Sequence, residues 1–141
     1  AVGWYEKSAK QGDAYGQNRY GWCLQNGIGV KKDEAEAVKW YKKSAEQGYI
    51  EGQNNYGWCL ENGIGTEQNK IEAVGWYEKS AKQGDAYGQN MYGWCLENGI
   101  GIEQNKVEAK KWYEKAAEQG NDEAKKALKN LYITTEKNYK P

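Results

Sequence analysis

Residues 13–48 read DAYGQNRYGWCLQNGIGVKKDEAEAVKWYKKSAEQG, and the same 36-residue frame returns at Tyr49–Gly84 and Asp85–Gly120. A half unit, Ala1–Gly12, precedes it, and a divergent stretch follows from residue 121. Tryptophan falls at positions 4, 22, 40, 58, 76, 94 and 112, one every 18 residues, in two alternating kinds of segment. Residues 1–18 are identical to residues 73–90, which implies recent duplication or deliberate construction. A fixed period of this size marks a chain whose units bury their apolar faces against one another, a solenoid.

Each unit predicts two helices. In the first, Asp13–Asn26, residues Gly16, Gln17, Tyr20, Gly21 and Leu24 share one face at helical spacing. Gly21 removes a side chain from that face, so a second helix can approach closely, at some cost in helix propensity. Gly27 ends the helix as a left-handed cap, with Ile28 as the accompanying apolar contact. The second helix starts at Asp33, which with Glu36 forms a capping box, as do Asn69 with Glu72 and Asn105 with Glu108. Its packed face carries Ala37, Tyr41, Ser44 and Ala45, and Gly48 closes it. The fold class is therefore all-α, a solenoid of antiparallel helix pairs.

Composition supports this only through the aromatics. Aliphatic residues are scarce and phenylalanine is absent, but seven tryptophans and twelve tyrosines supply large buried areas at regular places. The formal net charge is zero, which argues against a general nucleic-acid surface or an anionic membrane as partner. No apolar run approaches spanning length, and no signal-peptide pattern is present. The chain begins without methionine, as an excised fragment or processed chain would.

The pattern A-x-G-Q-x-x-Y-G-x-x-L-x-x-G-x-G, followed by D/N…A-x-x-W-Y-x-K-S/A-A-x-Q-G, resembles the Sel-1-like repeat family, relatives of the tetratricopeptide repeats. It covers residues 1–120, and WYEKAAEQG at Trp112–Gly120 is nearly a family consensus. Tyr20 stands where the family usually has leucine, Leu24 where it has an aromatic, and Gly16 where alanine is common. The resemblance implies a right-handed superhelix that works as an adaptor or scaffold for protein complexes. It implies no catalytic residues and no cofactor.

The NGIG loop has the backbone amides of an anion cradle. It lacks the longer glycine framework and the Lys-Ser/Thr that open the next helix of a phosphate loop, so a turn is the better reading. Cys23, Cys59 and Cys95 occupy one position per unit. Equivalent positions on stacked helices stand about 8–10 Å apart, beyond disulfide reach. They read as small, semi-buried fillers at the edge of the packed face, and unpaired thiols suit a reducing, cytoplasmic setting. Some cysteine-rich relatives pair two cysteines within each repeat, and this chain lacks the second. Without histidine, triads and ordinary zinc sets are unavailable, so neither a metal site nor an enzyme is expected. Carboxylates are assigned to solvated helix faces, paired with lysine by default.

One face remains. Positions 15, 18, 19 and 22 project together from the first helix. They are Tyr15, Asn18, Arg19 and Trp22, then Glu51, Asn54, Asn55 and Trp58, then Tyr87, Asn90, Met91 and Trp94. The family resemblance places first helices on the concave surface. A ladder of tryptophan and asparagine with changing neighbours suits a protein or peptide segment, aromatics anchoring it and asparagines bonding its backbone. An aromatic-lined glycan groove and an array without a ligand of its own are the alternatives. The second-helix tryptophans, Trp4, Trp40, Trp76 and Trp112, are expected in the core.

A single repeat domain over 1–132 is expected: half repeat 1–12, repeats 13–48, 49–84 and 85–120, and a capping helix 121–132 with Ala124, Ala127, Leu128 and Leu131 inward. A frayed tail, 133–141, would follow. The opening helix has no first helix to cover it, which favours self-association through that face.

Overall fold

The computed structural model describes residues 1–138, with 133–138 described through their backbone alone. Among these there are eight α-helices and no strand: α1 Val2–Lys10, α2 Ala14–Asn26, α3 Glu34–Glu46, α4 Ile50–Asn62, α5 Lys70–Lys82, α6 Ala86–Asn98, α7 Lys106–Glu118 and α8 Asp122–Asn138. Each helix packs on the next in order, so successive units join chiefly second helix to first, α3 on α4 and α5 on α6, and α2 also touches α4. The result is an all-α repeat solenoid.

Local chemistry sets the helix ends. Gly27, Gly63 and Gly99 adopt left-handed φ values of 66°, 66° and 67°, and the Ile28 amide donates back to the Cys23 carbonyl at 2.9 Å. Ile64 and Ile100 pack against the core beside their turns, whereas Ile28 is exposed. Asp33 accepts from the Glu36 amide at 3.0 Å, with Asn69 and Asn105 doing the same for Glu72 and Glu108. The reciprocal half of the expected capping box is replaced: the Asp33 amide donates to the Leu24 carbonyl at 2.8 Å. That bond ties the loop back to the helix it has just left.

The second glycine of each loop is an inter-unit joint. Gly65 has φ 70°, and a Cβ there would overlap the Glu34 carbonyl oxygen at the start of α3. Gly101 meets Lys70 and Ile71 in the same way. Within each unit, Gly57 lies against the ring of Tyr77, one of three fully buried tyrosines with Tyr41 and Tyr113. Buried glutamines add a polar seam: Gln17 donates to the Ala9 carbonyl at 3.3 Å and accepts from Gln47 at 2.8 Å. Gln53 and Gln89 repeat both bonds, so these buried amides are satisfied across three successive helices.

Three core expectations need correction. Cys23, Cys59 and Cys95 are fully buried, not at a packed edge, and burial pushes the thiols of Cys59 and Cys95 up to about 12. Trp40 is 9% exposed, but Trp4 is 75% exposed, and Trp76 and Trp112 are only partly buried. Trp40 packs edge-on against Tyr20 of its own first helix, with ring centroids 5.6 Å apart, and α1 has no such helix before it in this chain. Finally, α8 does not stop near Tyr132 but runs on to Asn138, since neither glycine nor proline interrupts it. Ala124 and Leu131 are buried as expected, with Ala127 and Leu128 packed beside them. Residues 139–141 of the expected frayed tail lie outside the described residues.

Candidate functional site

Helical phase turns Trp22, Trp58 and Trp94 out of the core, and all three remain 37–39% exposed. They line a groove that follows the first helices in two connected stretches. One, of about 490 Å³, is bounded by Asn18, Arg19, Trp22, Glu51, Asn54, Asn55, Trp58 and Tyr87. The other, of about 790 Å³, shares Trp58 and Tyr87 and adds Asn90, Met91, Trp94, Glu61, Glu97 and part of α8. All the residues singled out from sequence are thus brought together except Tyr15. That ring instead packs edge-on between Tyr5 and Tyr49, at centroid distances of 6.2 and 6.3 Å.

The asparagines have more specific duties than a free ladder. Asn18 and Asn54 are buried on the groove floor. Asn54 Nδ2 donates to Asp85 Oδ2 at 2.9 Å, the same oxygen that caps α6 by accepting from the Gly88 amide. Unit two has Tyr49 at the cap position, which offers no side-chain cap bond, and Asn18 Oδ1 accepts from Asn55 at 2.8 Å instead. These amides wire neighbouring first helices together. Asn54 Oδ1 is buried on the groove floor without a hydrogen-bond partner.

Charge is distributed unevenly along the groove. In unit one the Arg19 guanidinium sits over Trp22 at 5.0 Å and Tyr5 at 5.3 Å. In units two and three the groove carries Glu51, Glu61 and Glu97. Each is pinned by a tyrosine hydroxyl: Tyr49 donates to Glu51 at 2.6 Å, Tyr77 to Glu61 at 2.7 Å, and Tyr113 to Glu97 at 2.6 Å. Burial first, and then these carboxylates, push the Tyr77 and Tyr113 phenols far above their ordinary range, and Tyr49 to about 12. Sequence reasoning missed Glu61 and Glu97. They stand three residues after Trp58 and Trp94, one turn on along the same face, which was the available signal.

Among the described residues no cluster of His, Cys, Asp or Glu could hold a metal ion, and no helix is long and apolar enough to cross a membrane. Stacked helix pairs with an aromatic groove along the first helices define an α-solenoid repeat protein. The chain belongs to the Sel1 repeat family, whose model matches residues 1–13, 14–49, 50–85 and 86–121. Several solved structures are similar, three of them as follows. A Sel1 repeat protein from Oxalobacter formigenes is 36% identical with a TM-score of 0.82, covering 89% of this chain and 95% of that one. The protective antigen c5321 of uropathogenic Escherichia coli, which displays an SLR fold, is 37% identical with a TM-score of 0.91, over 94% of this chain and 28% of its own. Cysteine rich protein B of Helicobacter pylori shares the fold at 23% identity and a TM-score of 0.71, over 91% and 92% of the two chains. No curated protein matches the chain. Sel1 repeat proteins are generally protein-interaction scaffolds and typically non-catalytic.

Proposed function

We propose that this chain is a non-enzymatic scaffold that holds a segment of a partner protein in the groove of its first helices. The observation that carries the reading is the row of half-exposed indoles, Trp22, Trp58 and Trp94, set at one interval along a continuous groove. Large, rigid aromatics lose little entropy on binding and dominate interface energetics. The groove is a surface, not an enclosed cavity, which suits an extended chain better than a small substrate. Replacing all three indoles by alanine tests the proposal. Partner capture from a peptide array is expected to vanish while the helical circular-dichroism signal persists. Retained capture with unchanged affinity would place the site elsewhere. A glycan array run beside it separates the sugar reading, which draws less support here because Asn18, Asn54 and Asn55 already bond within the chain.

A further inference from the structure

The outer faces of the helices balance their charge locally. Glu6, Glu36, Glu78, Glu108 and Glu114 each pair with a lysine three or four residues away, at 2.8–3.9 Å. The groove does not follow this rule. Helices α2, α4 and α6 contain no lysine, and Arg19 is their one basic residue. Among the described residues, no ion pair is formed by Glu51, Glu61 or Glu97. Each is held instead by a neutral tyrosine hydroxyl, which fixes the carboxylate without neutralising it. Arg19 lines the stretch that holds Glu51, whereas Lys126 is the one cation in the stretch that holds Glu61, Glu97 and Glu123. The stretch over units two and three therefore keeps a net acidic excess, Glu61, Glu97 and Glu123 against Lys126, beside Trp58, Tyr87 and Trp94. The unpartnered, buried Asn54 Oδ1 adds an acceptor on the same floor.

Resting on the groove reading above, we infer that the partner segment is an extended peptide bearing lysine or arginine side chains, seated over units two and three. A cation gains from the faces of Trp58 and Trp94 and from the carboxylates at once. Spacing supports repetition. Glu61 and Glu97 occupy equivalent places on successive first helices and line the same stretch of the groove. A polyproline-type chain advances about 9 Å in three residues, so a peptide with basic residues at i, i+3 and i+6 offers a series of cations along that stretch. Peptide donors also suit the carboxylate oxygens not used by tyrosine.

Unit one supplies the control. There Gln25 takes the place of Glu61 and Glu97, and still accepts from the Tyr41 hydroxyl. Glu61→Gln and Glu97→Gln therefore keep the internal bond and remove only charge. The probes are three acetylated, amidated peptides: Lys-Ala-Ala-Lys-Ala-Ala-Lys and its counterparts with glutamine or glutamate in place of lysine. They are titrated calorimetrically against the folded chain at low and at physiological salt. The lysine peptide is expected to bind, more weakly as salt rises. Each Glu→Gln change should lower its affinity about two- to fivefold, as exposed ion pairs do, and Trp58→Ala should lower it further. Equal binding of the glutamate peptide, or indifference of the lysine peptide to both Glu→Gln changes, overturns the inference. Trp58-dependent binding of only the neutral or acidic peptide overturns the basic-partner chemistry but leaves the groove reading standing. Failure of all three peptides overturns the inference, and the groove reading falls separately only if the triple-indole variant keeps its array partners.

Discussion

Trp40 and Trp22 sit 18 residues apart in the same repeat, and each has close copies, yet they live in different environments. Trp40 is almost fully buried, edge-on to Tyr20, with the Lys43 ammonium 4.5 Å from its ring centroid. Trp76 and Trp112 keep both contacts, to Tyr56 and Lys79 and to Tyr92 and Lys115. Trp22, Trp58 and Trp94 stay more than a third exposed along the groove. Residue type is constant between the two series, so helical phase and available neighbours assign the role. One series joins second helix to first. The other is left facing outward by the same packing.

The largest expected effect removes the buried side of this contrast altogether. Burial holds Cys59 and Cys95 protonated up to about pH 12, and pushes the Tyr56, Tyr77, Tyr92 and Tyr113 phenols up as well. The folded state thus retains protons that the unfolded chain gives up from about pH 9 for a thiol and about pH 10 for a phenol. Stability should be flat through neutral pH and fall as pH rises through that window towards 12. Urea midpoints measured from pH 7 to 11 check this, and a constant midpoint would contradict the burial. A thiol reagent at pH 8 should likewise find the cysteines only after unfolding.

Single substitutions come next. Trp40→Ala should cost about 3–5 kcal/mol of unfolding free energy, the usual loss for a large buried aromatic. Gly65→Ala should cost about 2–3 kcal/mol, from a left-handed φ combined with overlap on the α3 backbone. It separates core packing from stacking, because it opens the joint between units without touching either tryptophan series. Trp58→Ala should cost less than Trp40→Ala, about 2 kcal/mol, because the indole is 38% exposed. Denaturant melts of the three variants rank them directly. A Trp58→Ala cost equal to that of Trp40→Ala would make the groove indole a packing residue.

Much of this was legible in the sequence because the repeat states each rule three times. Gly27, Asp33 and their copies fix the helix ends through backbone chemistry that needs no tertiary knowledge. The exposed phase of Trp22 follows from counting residues around a helix. Other features depend on what lies across an interface, which counting along one helix does not reach. The depth of Cys23 and its copies, and the overlap that requires Gly65, come from the neighbouring unit. Glu61 read as a solvated carboxylate because its partner, the Tyr77 hydroxyl, arrives from a different helix 16 residues on. Asn18 and Asn54 lie at the buried end of the expected face, where Asn18 bonds Asn55 and Asn54 bonds the Asp85 cap of the next first helix.

Trp4 gives the smallest effect and the sharpest test of whether position or partner buries a tryptophan. It occupies the same repeat position as Trp40, in the sequence AVGWYEKSA against AVKWYKKSA. The two stretches differ in Gly3 for Lys39 and Glu6 for Lys42, and Lys7 stands 5.8 Å from its ring where Lys43 stands 4.5 Å from that of Trp40. The larger difference is the first helix that brings the Tyr20 edge against Trp40. If that partner alone is decisive, Trp4→Ala should change unfolding free energy by less than about 0.5 kcal/mol, while Trp40→Ala costs several. Adding a copy of residues 49–72 ahead of Ala1 would supply α4's sequence and its loop as the missing first helix. In that longer chain Trp4→Ala should become as costly as Trp76→Ala, whose sequence context it then shares, and the Trp4 indole should be better shielded from a soluble quencher. An unchanged small cost would mean that something other than the facing tyrosine buries Trp40.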